Sequence, residues 1–189
     1  MHLRSGNRTG QGRPAARPLI PYGVTKLAAE SLAQVYYRNF RLPLVILRYF
    51  TVYGPRQRPD MAFHRFILAI LKGHPVTVFG SSEQTRDFTY VSDIIEATLL
   101  AMTKDVTGHV FNIGGDFRCS VNHVLKLIQQ LTGQKIIRQA LPPQPGEPRT
   151  TRADISSAQK VLGYKPKVTL IQGLKEEIKD LRKLYDLPG

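Results

Sequence analysis

The chain has a single cysteine, Cys119, among 189 residues. No internal disulfide can form, and so sparing a use of cysteine points to a reducing compartment. No apolar run approaches the ~18 residues of a membrane span. The first residues, "MHLRSGNRTG", hold no apolar h-region of a secretory signal, so a cytoplasmic setting is expected. Acidic residues are scarce, 14 against 27 Lys plus Arg, for a formal net charge of +13. A surplus of that size raises nucleic acid as a partner. Its distribution argues against one. Arg4, Arg8, Arg13 and Arg17 sit in a Gly/Pro-rich leader, and "LKEEIKDLRK" at 174–183 alternates in sign as a solvated helix face does. A small anionic substrate would also use arginines. His2, His64, His74, His109 and His123 are scattered without metal-ligand spacing, so no metal site is expected. There is no internal repeat.

What is present is enough for one core. Hydrophobic residues make up 42% of the chain, and its length suits a domain of ordinary size. Residues 1–20 have neither helical nor strand period and read as a loop or disordered leader. From Tyr22 onward, Val24, Leu27, Ala28, Leu32 and Val35 follow helical spacing, with Tyr22, Lys26, Ala29 and Ala33 as a second, small-residue stripe. "LPLVILRYF" at 42–50 is continuously apolar after Pro43, as in a strand covered on both faces of a parallel sheet. A loop, "TVYGPRQRPD", follows. Then come a helix through Phe63, Phe66, Ile67, Ile70 and Leu71, a strand at 75–80 and an extended "RDFTYV". Ser92 is the expected cap of a helix through "DIIEATLLAM", and Ser120 of one through "VNHVLKLIQQLTG". A strand at 109–115, another near "KIIRQ", and helices near 155–162 and 171–185 complete the pattern. Strands alternating with helices predict an α/β fold.

The chemistry begins at "PYGVTKLAAE", residues 21–30. A phenol, with an unperturbed pKa of roughly 10, needs a positive neighbour to act as a base near neutral pH. Lys26 stands four residues after Tyr22, one helical turn away on the same face. The spacing suits an acid/base tyrosine with a lysine helper, and equally two ordinary surface residues. "RYFTVYGP", at the end of the buried strand, falls where ligand crevices open in parallel sheets. There Tyr49 and Phe50 suit either a site or plain packing. Arg56 and Arg58 would meet phosphate or solvent, with solvent favoured for Arg56. Arg86 in "TRDFTYVSD" can make a bidentate contact to a diphosphate or a surface ion pair. Asp87 and Asp93 are expected to fix the loop and the helix start rather than touch substrate.

Taken in order, "PYGVTKLAAE", "LPLVILRYFTVYGPRQRPDMAF", "GSSEQTRDFTYVSDIIEATLLA", "VFNIGG" and "GEPRTTRADISSAQKVLGYKPKV" resemble the extended short-chain dehydrogenase/reductase family. Within it they are most similar to NAD-dependent nucleotide-sugar epimerases and dehydratases, especially UDP-glucose and UDP-glucuronate 4-epimerases. The resemblance runs from residue 21 to about 185. It implies the C-terminal part of a Rossmann-like parallel sheet plus a smaller α/β substrate-binding lobe. Residues 21–54 would be the remnant of the dinucleotide-binding domain, and 55–189 the lobe with returning sheet strands.

By that resemblance Tyr22 takes the proton from a sugar hydroxyl, and Lys26 holds the nicotinamide ribose and favours the phenolate. NAD carries the hydride, and epimerisation passes through a 4-keto sugar. Tyr22, Lys26, Tyr49 and Phe50 are the implied cofactor contacts, and Thr51, Arg58, Arg86 and Arg149 the substrate contacts. Thr51 stands where many members have Asn and fits the glucuronate-type subgroup better. Gln144 and Pro145 precede Gly146 where an arginine is usual, leaving Arg149 as a substitute. The family's G-x-x-G-x-x-G turn, which holds the pyrophosphate on backbone amides, has no counterpart in this sequence.

The expectation is therefore an epimerase-type chain, truncated and inactive alone, acting on a UDP-sugar. The related alternative is a 4,6-dehydratase. A non-catalytic nucleotide-sugar or protein-binding module is the competing class, and a nucleic-acid binder using the basic leader is a third. A family homodimer, or a separate chain carrying the Rossmann half, is the implied partner.

Overall fold

The computed structural model describes residues 20–115, 117–143 and 150–188. Helix α1 spans Pro21–Phe40, entered through Pro21 in its first turn, where no N–H is needed. Strands β1 (Ile46–Tyr49) and β2 (Thr51–Tyr53) lead to α2 (Ala62–Leu71), β3 (Val76–Phe79) and β4 (Thr85–Tyr90). Next come α3 (Val91–Thr103), β5 (Val110–Ile113), β6 (Arg118–Ser120), α4 (Val121–Thr132) and β7 (Arg138–Leu141). A π-helical turn at Ala158–Leu162 and helix α5 (Leu170–Leu184) follow.

Three small sheets result. β1 runs parallel to β5, from Ile46 opposite Val110 to Tyr49 opposite Ile113. β2 lies parallel to β4, which pairs antiparallel with β6 on its other edge. β3 runs parallel to β7. The expected α/β architecture with parallel strands is what the chain adopts.

Several boundaries differ from expectation. Thr51–Tyr53, read as loop, is a strand paired with Phe88–Tyr90, because this β-branched and aromatic triplet has a long-range partner. The loop starts at Gly54. Helix α3 begins at Val91 with Tyr90 at its cap and no side chain bonded there, so Ser92 lies inside the first turn. The strand expected near 135–139 sits at Arg138–Leu141. Ser120 does cap α4, accepting from the His123 N–H at 3.2 Å. α5 opens with a reciprocal cap between Thr169 and Gln172 that the sequence reading had not picked out.

Two apolar cores form. Phe88 points into one, where it meets Phe63 at 4.5 Å between ring centroids, and Phe63 in turn meets Tyr53 at 5.0 Å. Val124, Leu125 and Ile128 of α4 and Leu174, Ile178 and Leu181 of α5 close that core. The other core holds Phe111 and Ile113 of β5, Ala97 of α3, and Leu162 and Tyr164. The Tyr164 hydroxyl donates to the Gly114 carbonyl at 2.9 Å, which satisfies its one polar atom. Cys119 is buried beside Asp87, and desolvation pushes its thiol up to about 12, so it behaves as a small apolar side chain. Among the described residues no helix is long and apolar enough to cross a membrane, and no group of three His, Cys, Asp or Glu is placed to hold a metal ion.

Three buried acids tie segments together. Asp87 accepts from the N–H groups of Gly115 at 2.8 Å and Ala153 at 3.1 Å. Asp93 accepts from those of Lys167 and Val168, both at 3.2 Å. These contacts make Asp87 and Asp93 structural, although Asp93 secures the approach to α5 rather than capping its own helix. Glu177, 1% exposed, accepts from the Gly54 N–H at 3.0 Å.

Burial pushes the Glu177 carboxyl up to about 8, with the Gly54 hydrogen bond opposing the shift and Asp180 adding to it. The folded value lies above the unfolded one, so its contribution to stability is full below about pH 4.5 and is lost as pH rises toward 8. Urea unfolding is expected to show stability declining across that window by up to about 1 kcal/mol per pH unit. The Glu177→Gln variant should lose most of that slope; an identical slope in both proteins would assign it to other groups.

Candidate functional site

The site forms at the carboxyl ends of β1 and β5, where α1 begins. Tyr22, Tyr49, Phe50, Thr51, Val52, Met61 and Thr151 line an open cleft of about 320 Å³. Tyr22 is in the first turn of α1 and 57% exposed. One turn on, the Lys26 Nζ lies 5.4 Å from the centre of the Tyr22 ring. Tyr49 ends β1, and its hydroxyl is 2.8 Å from the Thr98 Oγ1. Because Thr98 donates to the Ile94 carbonyl at 2.7 Å, the Tyr49 hydroxyl is the donor between them. Thr151 is held by its N–H, which donates to the Thr85 carbonyl at 3.0 Å. Its hydroxyl also faces the Asp87 N–H at 3.4 Å.

α1 reaches this position by an ion pair rather than an apolar stripe. Arg48 of β1 makes a two-pronged contact to Glu30, with Nε donating to Oε2 at 2.7 Å. Glu30 is buried, and with Gly23 is one of two buried residues in the helix. The expected stripe is mostly outside: Val24, Leu32 and Val35 are 53%, 58% and 47% exposed. The inward face runs instead through Gly23, Leu27, Glu30 and Tyr37, and Tyr37 lies against Gly108, where a Cβ would strike its ring. A buried carboxylate is tolerable only with a strong partner, and Arg48 supplies it.

Of the residues singled out in the sequence, Tyr22, Tyr49, Phe50 and Thr51 share the cleft, and Lys26 stands beside Tyr22. Arg58 and Arg86 do not line it. Arg58 is exposed and paired with Asp60, with contacts at 3.0 and 2.8 Å. Arg86, on β4 opposite Cys119, donates from Nη1 to the Thr85 carbonyl at 3.0 Å. Arg149 lies outside the described residues. Arg56, expected in solvent, is exposed and lies 3.4 Å from Asp180. The sequence reading missed Val52, Met61 and Thr151 as cleft residues and the Glu30–Arg48 pair. Thr151 lies two residues after Arg149, and Glu30 ends the "LAAE" of the tyrosine–lysine helix.

A fold of parallel strands with a tyrosine–lysine helix at their carboxyl ends defines a Rossmann-like α/β protein of the short-chain dehydrogenase type. Residues 5–114 match the family described as "NAD dependent epimerase/dehydratase family", and the chain belongs to it. It is 49% identical over 169 residues to the uncharacterized UDP-glucose epimerase YtcB of Bacillus subtilis, covering 89% of this chain and 54% of that protein. It is 38% identical over 162 residues to the UDP-glucuronate 4-epimerase of Thermodesulfobacterium geofontis, covering 85% and 50%. A solved UDP-glucuronic acid 4-epimerase from Bacillus cereus, in complex with UDP-glucuronic acid and NAD, superposes with a TM-score of 0.88 at 47% identity. That match covers 95% of this chain and 59% of the other. The chain thus spans about half the length of the curated relatives it matches.

Truncation of Glu30 to alanine would strand the Arg48 charge and is expected to cost about 3 kcal/mol in the local opening of α1, read by amide hydrogen exchange across the helix. The double change Glu30→Leu with Arg48→Met should recover much of that loss. Equal costs for the single and double variants would show that the pair does not hold α1.

Proposed function

We propose that this chain provides the acid/base tyrosine and the sugar-binding side of an NAD-dependent 4-epimerase acting on a UDP-hexuronate or UDP-hexose. The observation that carries the reading is the shared cleft, which Tyr22 lines together with Tyr49, Phe50, Thr51 and Thr151, with Lys26 one helical turn along. The similarity to a UDP-glucuronic acid 4-epimerase solved with its sugar nucleotide and NAD supports the same chemistry. Thr51 favours a glucuronate-type substrate over a glucose-type one.

The residues present fit the nicotinamide end of NAD. Tyr22 and Lys26 offer a hydroxyl and an ammonium on one helix face, and the aromatic Tyr49 and Phe50 offer an apolar wall. The G-x-x-G-x-x-G turn that would cradle the pyrophosphate has no counterpart in this sequence. NAD, when bound, supplies the hydride acceptor and donor. Tyr22 takes the proton from the sugar 4-hydroxyl and returns it, while Lys26 keeps positive charge beside the phenol and toward the ribose. Thr51 and Thr151 offer hydroxyls to orient the sugar, and Arg58, Arg86 and Arg149 are the candidate partners of the diphosphate. The apolar outer face of α1, through Val24, Leu32, Val35 and Phe40, suits a second copy of the chain or the Rossmann half carried by another chain.

Replacing Tyr22 by Phe keeps the ring and removes the proton carrier. Measured beside a chain carrying the Rossmann half, turnover of UDP-glucuronate with NAD is expected to fall by about 100-fold or more, and an unchanged kcat would end the assignment of Tyr22. Calorimetry with UDP should show a loss of roughly 1.5–3 kcal/mol for Arg86→Ala if it pairs with the diphosphate; equal affinity would remove it from the site. With NAD alone, the isolated chain is expected to bind no tighter than about millimolar, for want of the pyrophosphate cradle. UDP-sugar binding without any turnover, even beside a Rossmann-half chain, would favour the non-catalytic reading. Light scattering at high concentration should detect self-association, and a clean monomer would argue against α1 as a dimer face.

A further inference from the structure

The segment from Gly54 to Asp60 joins two walls of the cleft, Thr51 and Val52 at the end of one strand and Met61 just before α2. Its backbone is unusual. Gly54 has φ 134° and Arg56, a non-glycine residue, has φ 64°. Such left-handed backbone persists in a side-chain-bearing residue only where its surroundings enforce it.

The enforcement comes from behind, along α5. Glu177 Oε2 accepts from the Gly54 N–H at 3.0 Å. One turn on, Asp180 Oδ2 accepts from the Arg56 N–H at 2.9 Å. Beyond the helix end, the Tyr185 hydroxyl lies 3.0 Å from His64 Nε2, and His64 Nδ1 lies 3.0 Å from the Gln57 carbonyl. A carbonyl only accepts, so Nδ1 carries the proton and Tyr185 donates to Nε2. Gln57 closes the loop, its side-chain amide donating to the Val52 carbonyl at 2.8 Å. Gly173 lets α5 come this close, since a Cβ there would strike the Tyr53 hydroxyl. Three points on one C-terminal segment therefore hold the backbone at 54, 56 and 57.

We propose that Glu177 and Asp180 of α5 are positioning residues that hold the 54–56 backbone and thereby set the separation of the Thr51 and Met61 walls of the cleft. They touch no cleft ligand themselves and act through the loop. The role in ligand binding rests on the reading of the cleft as a nucleotide-sugar site; the role in cleft geometry does not.

The test uses the full chain with ¹³C-methyl methionine and amide hydrogen exchange. Asp180 is partly exposed, so Asp180→Ala should fold. It is expected to speed exchange at the Arg56 amide by about tenfold and to move the Met61 methyl resonance, while the Val124 and Leu125 amides of α4 stay unchanged. Glu177→Ala should do the same at Gly54. Glu177→Gln should restore the parent behaviour, because its carboxamide oxygen still accepts from Gly54. In titrations with UDP-glucuronate the alanine variants should bind about fivefold or more weakly, with Glu177→Gln near the parent. An unmoved Met61 methyl, or exchange rising equally throughout α4, would overturn the proposal and leave both acids as general stability residues. Absence of UDP-glucuronate binding by the parent chain would sink the functional reading alone, since the exchange and methyl measurements decide the positioning role without it.

Discussion

The buried carboxylate of Asp87 is the constraint on which the arrangement turns. It stands in β4 beside Phe88 of one apolar core, and takes N–H groups from Gly115 and from Ala153 of the other core. These come from chain segments 28 and 66 residues away, so a single side chain closes two long loops at once. Hydrogen bonds to a charged acceptor are the stronger kind, and a buried carboxylate left without them would be costly. The approach also requires residues without side chains. A Cβ on Gly115 would strike the Phe88 carbonyl, and one on Gly114 would strike Ala153. With Ala153 fixed, Thr151 two residues earlier is brought to the cleft wall. The site is thus shaped partly from the interior, by a group that never reaches it.

The two cores are linked through this carboxylate. Phe88 of β4 joins the aromatic cluster of Tyr53 and Phe63, and α5 closes it. The second core is built on β5 and the Tyr164 segment, and β5 pairs with β1, which carries Tyr49 and leads into Phe50. The cleft lies where material from both cores emerges: Tyr49 and Phe50 from one, Thr51 and Met61 beside the other. A cavity of about 360 Å³ between α4 and α5, lined by Leu131, Lys175, Ile178, Lys179 and Arg182, holds none of the residues that suggest chemistry.

What could be read in the sequence followed from whether a signal was local. α4 was legible because Ser120 caps it and Val121, Val124, Leu125 and Ile128 repeat at helical spacing. The strand after Pro43 was legible from its unbroken apolar run, but Ile46–Tyr49 is half-buried to exposed rather than covered on both faces, since among the described residues it pairs with β5 alone. β2 was not, since three residues before a Gly-Pro pair form a strand only when Phe88–Tyr90 lies beside them. The face of α1 was misread for a related reason. Glu30 looks like a surface residue until Arg48 is seen opposite it, and a pair 18 positions apart leaves no periodic trace. Tyr22, Lys26, Tyr49, Phe50 and Thr51 were recognisable as a set from motif resemblance. Met61 and Thr151 enter the cleft only through tertiary placement. Arg58 pairs with Asp60 two residues away, a contact the sequence expectation of phosphate or solvent did not include.

The slender attachment of α1 sets the order in which the molecule comes apart. A helix that buries only Gly23 and Glu30 makes few of the contacts that resist local opening. The two cores beneath it are closed by other elements and do not rely on it. α1 is therefore a cooperative unit of its own, the one that detaches at the lowest free energy while the sheets stay folded. Tyr22 and Lys26 travel with it. Mild denaturant, raised temperature or a protease acting on the opened helix would take Tyr22 and Lys26 away from the cleft long before the fold melts.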